Sequence, residues 1–261
     1  DTAIRFPAAN TFTAETAGSE RLRITSSGRV VVGNDTERNN YDNGSVTSNL
    51  LHVERTAASG NAGISICANA ATAADVGAII YMGRTSATSN GGSTIVENGD
   101  LIGRISFQGA DGSELVEAAS IKVDVDGTPG SNDMPGRIEF HTTADGAASP
   151  TERLRITSRG DFIFNNGTLI ESVNINSTAR NGTQNVDLQD GMVHYFSTNS
   201  TGTWKPNFRV SSSANVNGLM STGDVISPTM IVAKGATTHF ANAIQVDGSD
   251  VTPEFSGGAP T

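Results

Sequence analysis

The nine residues Glu20-Arg21-Leu22-Arg23-Ile24-Thr25-Ser26-Ser27-Gly28 return, with one change, as Glu152-Arg153-Leu154-Arg155-Ile156-Thr157-Ser158-Arg159-Gly160. The offset, 152 − 20, is 132 residues. Each copy alternates apolar and polar residues, reaches a Ser-x-Gly turn and enters a second apolar run. That run is Val30-Val31-Val32 after the first copy and Phe162-Ile163-Phe164 after the second. Period-two alternation, a glycine turn and another strand-forming run specify a β-hairpin. A hairpin used twice on a long chain points to modular construction, and so to a structural or adhesive role rather than a single catalytic pocket.

The rest of the chain reads in the same way. Leu50–Arg55, Gly63–Ala68, Gly77–Gly83, Leu101–Phe107, Ala119–Val125 and Gly136–Thr142 have strand length, and Asp-Gly turns follow the last three. Tyr81 and Met82 lie inside the most apolar of these runs and are expected in a core. Only Ser113–Ala119 could hold one turn of helix. In Gly103-Arg104-Ile105-Ser106-Phe107 and Gly136-Arg137-Ile138-Glu139-Phe140, the arginine and the polar residue two further on share one strand face, with Ile and Phe on the other. Beyond residue 170 come Val173–Ile175, Asn185–Leu188, Met192–Phe196, Asn207–Val210, Asp224–Ser227, Met230–Ala233 and Ala243–Gly248. Their short turns predict antiparallel pairing. The expected fold is all-β, built from elongated antiparallel β-sandwich and β-hairpin modules. Residues 1–45 form an N-terminal segment with the first hairpin, 46–145 a sandwich-like repeat module, 146–170 the second hairpin and 171–261 a sandwich-like head.

Composition agrees with a shared core. Hydrophobic residues make up 36% of 261 and aromatics 5%, with 29 glycines. So thin a core looks to subunit association for stability. A net charge of −10 argues against nucleic acid, whose phosphates need a basic face. No apolar run approaches the ~20 residues that span a bilayer, so no membrane insertion is expected. Cys67 is the only cysteine, which rules out an intrachain disulfide, and it is expected as a small buried or half-buried residue within a strand. The chain opens on Asp1-Thr2-Ala3 without a signal peptide, as a processed chain or a piece of a longer one would.

Catalytic signals are weak. The histidines, His52, His141, His194 and His239, show no ligand spacing, and no metal or cofactor is expected. Asp124-x-Asp126-Gly127 begins like a calcium loop, but Pro135 stands where an EF-hand needs glutamate. Glu114 and Glu117 are a weak candidate acid–base pair. No phosphate loop or dinucleotide fingerprint is present. Arg21/Arg23 and Arg153/Arg155 are expected on one strand face with Glu20 and Glu152, pairing across strands or subunits.

Residues 103–160 carry a resemblance. The run includes Gly-Arg-Ile-Ser-Phe-Gln-Gly-Ala-Asp-Gly, Val-Asp-Gly-Thr-Pro-Gly-Ser-Asn-Asp-Met-Pro-Gly-Arg-Ile-Glu-Phe and Thr-Thr-Ala-Asp-Gly-Ala-Ala-Ser-Pro-Thr-Glu-Arg-Leu-Arg-Ile-Thr-Ser. It resembles the repeat module of bacteriophage tail-fibre and related virion appendage proteins, many from marine phages, over about residues 1–170. Residues 171–261 look like the β-rich C-terminal module that follows such repeats, in which further strands would lie beyond Thr261. Some such proteins end in a self-cleaving endosialidase-type chaperone, which is not evident here. The resemblance implies an intertwined homotrimer in the virion, associated with other virion proteins and meeting a host-surface glycan or protein. Val30, Val31, Val32, Phe162, Ile163 and Phe164 are the candidate trimer core. Trp204, read as part of the loop Thr201–Pro206, and its neighbour Lys205 are the candidate receptor contacts. The other reading of Trp204 is a plug at the edge of its own sandwich or of a neighbouring subunit. Capsid decoration, a head fibre or a bacterial adhesin are the alternative roles, and a glycan-degrading tailspike a more distant one.

Overall fold

The computed structural model describes residues 2–36, 38–44, 49–55, 61–69, 77–237 and 239–252. Among these, helix is limited to a 3-10 turn at Leu188–Asp190 and one α-turn at Val216–Leu219; the regular structure is otherwise β. The chain forms two compact units, Asp1–Thr168 and Leu169–Thr261.

The first unit holds two five-stranded sheets. The first sheet runs in chain order through β1 (Thr2–Arg5), β2 (Phe12–Thr16), β3 (Ser19–Ile24), β4 (Val30–Val32) and β5 (Leu51–Val53). It is antiparallel except for the β4–β5 pair. The second is an antiparallel meander of β6 (Leu101–Ala110), β7 (Leu115–Val125), β8 (Gly136–Thr142), β9 (Thr151–Ile156) and β10 (Phe162–Phe164). Both sequence repeats are hairpins, β3–β4 and β9–β10, and their turns match. Thr25 N donates to Arg29 O at 2.9 Å, and Thr157 N to Asp161 O at 3.0 Å. Gly28 and Gly160 sit at φ +82° and +87°, where a side chain is strained.

The repeats also share a β-bulge. Ala14 pairs with Leu22 and Glu15 with Glu20, leaving Arg21 as the extra residue; Phe140 pairs with Leu154 and His141 with Glu152, leaving Arg153 extra. The bulge resets the alternation, so residues three apart come together. Arg23 Nε therefore reaches Glu20 Oε1 at 2.7 Å, and Arg155 Nε reaches Glu152 Oε1 at 2.6 Å. Arg21 and Arg153 instead turn back to Thr16 Oγ1 and Thr142 Oγ1, each at 2.9 Å. The glutamates do join the Arg23 and Arg155 side; Arg23 pairs within its own strand, and Arg155 pairs both within its strand and across to Glu139 of β8 at 3.6 Å.

Several expected elements are absent or different. Residues 61–69 and 77–85 form no strand among the described residues. Tyr81 is 87% exposed and Met82 is also exposed, so neither is core. Cys67 is exposed too. The possible helical turn at 113–119 is instead a bend that enters β7 at Leu115, and 224–227 is not a strand.

The second unit corrects the antiparallel expectation for residues 171–261. Its strands are β11 (Val173–Asn176), β12 (Gly182–Asp187), β13 (Val193–Phe196), β14 (Trp204–Arg209), β15 (Thr229–Val232), β16 (Ile244–Val246) and β17 (Ser249–Val251). β11, β13 and β15 form one parallel sheet; β12, β14 and β16 form another, which β17 closes by an antiparallel pair. The chain thus coils three times, leaving one strand in each sheet per coil. Matching or complementary residues stack in register. Asn207 Nδ2 donates to Asn185 Oδ1 at 2.9 Å, Arg209 Nε meets Asp187 Oδ1 at 2.5 Å, and Val186, Phe208 and Val246 form an apolar column. Phe196 of one sheet meets Trp204 of the other, ring centroids 6.0 Å apart.

Candidate interaction surface

Cross-strand register sorts the second sheet into two faces. Ile105, Ile121, Phe140, Leu154 and Phe164 lie side by side across all five strands. The next row on that face is Gly103, Val123, Ile138, Ile156 and Phe162. The opposite face carries Arg104, Lys122, Glu139, Arg155 and Ile163 in one row. A soluble sheet hides its apolar face and wets the charged one. Here burial is inverted: on β8, Glu139 is 3% exposed and its neighbour Phe140 37%. Phe162 and Phe164 are 66% and 53% exposed.

The carboxylates of the charged face are buried, and the cations beside them neutralise them. Arg137 Nε donates to Glu139 Oε1 at 2.6 Å, and His141 Nε2 lies 2.9 Å from Glu139 Oε2. Lys122 and Arg155 stand at 3.7 and 3.6 Å from the same carboxylate. Asp124 is held by Arg137 at 3.2 Å, and Glu117 by Arg104 at 3.1 Å. Burial pushes the Glu139 carboxyl up, but Arg137, His141 and Lys122 together hold it below its ordinary value. Glu152 is lowered chiefly by its hydrogen bond from Arg155. A loop covers part of this side: Asp42 pairs with Arg104 and accepts from Gln108 Nε2 at 3.0 Å.

The first sheet repeats the inversion. Ile4, Ala14, Leu22, Val32 and Val53 line up on one face, with Phe12, Ile24, Val30 and Leu51 in the next row. Ile4, Ile24 and Leu51 of this face are exposed. On the opposite face Thr13, Val31 and His52 are buried. His52 Nε2 lies 3.1 Å from Glu54 Oε2.

The six candidate core residues thus divide. Val31 is buried within its own chain on the polar side, whereas Val30 and Val32 lie half-buried on the apolar face. Phe162 and Phe164 occupy the equivalent face positions 132 residues later, and Ile163 corresponds to Val31. β4 is flanked by β5, but β10 is an edge strand. Alternation had put Ile and Phe of β6 and β8 on one face. It carried no sign that this face would be the exposed one.

The receptor candidates fall in the second unit. Trp204 opens β14 rather than lying in a loop, and it is 5% exposed, packed on Phe196. Lys205 Nζ pairs with Asp250 Oδ1 at 3.0 Å. Arg180, in a segment without periodicity, escaped sequence reasoning although it is 1% exposed at the centre of this unit. Glu139, His141 and Glu152 place ligand-capable atoms within 4.8 Å of one another. Arg137 and Arg155 already occupy those carboxylates, so the trio suits guanidinium better than a metal ion.

No known protein-family profile matches the chain, and no curated protein does. Six solved chains match. One is the carboxy-terminal domain of the bacteriophage T5 L-shaped tail fibre with its intramolecular chaperone domain. It is 14% identical with a TM-score of 0.48, over 61% of this chain and 47% of that one. Another is the carboxy-terminal domain of the same fibre, 17% identical with a TM-score of 0.46, over 61% of this chain and 68% of that one. The chain therefore spans about half the length of the first. Likeness at this level transfers neither residue roles nor assembly, and the all-β class rests on the strand pairing described above.

Proposed function

We propose that the chain is a structural subunit of a homotrimeric β-rich virion appendage, a tail fibre or similar fibre, that meets the host surface. The observation that supports association is the inverted burial of both sheets. Each hides a self-neutralised polar face and leaves an in-register apolar face uncovered, a pattern suited to neighbours of the same kind. The two hairpins, sharing turn, bulge and arginine–glutamate pair, would pack at a common axis. The sequence resemblance over residues 1–170 supplies the kind of particle. A structural rather than catalytic role fits the carboxylates Glu117, Asp124, Glu139 and Glu152, each held by arginine or lysine. Sedimentation velocity of the full chain tests the assembly: a species of 3 × 27.0 kDa, 81 kDa, is expected, and a monodisperse species of 27.0 kDa overturns it. Immunoelectron microscopy of the particle tests the location, with label on the capsid favouring a decoration or head-fibre role. Shortened chains after incubation with host polysaccharide would refute the structural assignment.

A further inference from the structure

Arg180 lies between the two sheets of the second unit with its guanidinium carbon 5.4 Å from the Phe196 ring centroid and 5.1 Å from that of Trp204. Its terminal nitrogens donate to carbonyls: Nη1 to Thr198 O at 3.0 Å and Nη2 to Ala233 O at 2.8 Å. No carboxylate pairs with it among the described residues. Its Nε–H has no acceptor, nor has the indole Nε1–H of Trp204. Burial lowers the Arg180 pKa with nothing opposing it. An almost fully buried cation without a counter-charge, and two buried donors without acceptors, are costly features that a fold seldom keeps for packing alone.

Both residues line one cavity of about 450 Å³, within the range of small-molecule sites. Pro206, Phe208, Met230 and Val232 make its walls apolar. Lys234 and His239 also line it, and no aspartate or glutamate does among the described residues. Lys234 makes no ion pair among the described residues. In a chain of net charge −10 this is a local concentration of positive charge around an apolar hollow.

We propose that this cavity binds a small organic anion, a carboxylate on a compact apolar body. The carboxylate would be held by the ammonium of Lys234 and the positive charge of Arg180, and the body would lie on the apolar walls. This inference does not depend on the oligomeric state or on the fibre reading.

Trp204 is the only tryptophan, so selectively excited tryptophan emission reports on this site alone. The full chain is titrated with cyclohexanecarboxylate, with its neutral carboxamide, and with sulfate. A saturable emission change is expected for the carboxylate, at least about tenfold tighter than for the carboxamide, and no saturation with sulfate. Arg180→Gln removes a side chain on which the packing of the unit rests, so the deciding variant is Lys234→Gln at an exposed position. It should weaken the carboxylate about threefold or more, leave the carboxamide unchanged and keep the far-ultraviolet dichroism. Equal affinity for acid and amide, an equal response to sulfate, or no saturable response from a folded chain each overturns the proposal.

Discussion

Replacing Phe164 by serine removes one apolar anchor from the uncovered face of the second sheet while leaving the β9–β10 hydrogen bonds in place. Phe164 is 53% exposed in the single chain. Given ~200 Å² for a phenylalanine, about 100 Å² remains to be covered by a neighbour. At ~25 cal/mol per Å² that is about 2.5 kcal/mol per chain and about 7.5 kcal/mol per trimer. The trimer dissociation constant would rise by about five decades. Because that constant carries the square of a concentration, the dissociation midpoint would rise by about 500-fold. Sedimentation equilibrium over a wide loading range reads this midpoint directly. Arg159→Ser, at an exposed turn position outside the apolar rows, is the control and should leave the midpoint where it was. The reasoning fails if Phe164→Ser shifts the midpoint no more than the control does, or if the parent chain stays monomeric throughout.

Three further outcomes follow from the geometry. Glu139 and Glu152 are held below their ordinary value of 4.5, so their stabilising contribution is full above that value and is lost as pH falls through the depressed one. The thermal midpoint should accordingly drop on acidification below about 4.5, and Glu139→Gln should flatten that drop. Gly28→Ala and Gly160→Ala meet open space but force a positive φ on alanine, so each should cost about 1–2 kcal/mol in chemical denaturation. Phe196→Ala, at a side chain 1% exposed, should cost about 3–5 kcal/mol and shift the emission of Trp204.

The hairpins are legible in sequence because alternation, a Ser-x-Gly turn and a second strand-forming run are all local. The bulge is not, since Arg21 and Arg153 become extra residues only through their pairing with β2 and β8. Antiparallel and parallel strands alternate alike, so Val193–Phe196 gives no hint of its parallel partners. Nor does spacing help: β13 begins 193 − 173 = 20 residues after β11, and β15 begins 229 − 193 = 36 after β13, which hides the coil from a search for fixed periods. Residues 77–83 show the opposite failure. Their apolar pattern is strong, yet they form no strand pair among the described residues, because pairing depends on a neighbour that local sequence does not specify. Arg180 was invisible for a related reason: a buried cation is defined by the rings and carbonyls around it.

The free edge of β10 bears on how such a chain must be made. Among the described residues, Phe162-Ile163-Phe164 offers an unpaired edge on an apolar strand with no lysine, proline or bulge to guard it. In a newly synthesised polypeptide waiting for company, that edge is a template for indiscriminate strand addition. Yield from a cell would then depend on a race between orderly closure and inclusion-body growth. Lower temperature and slower synthesis would favour closure by keeping few unpaired edges in solution at any moment.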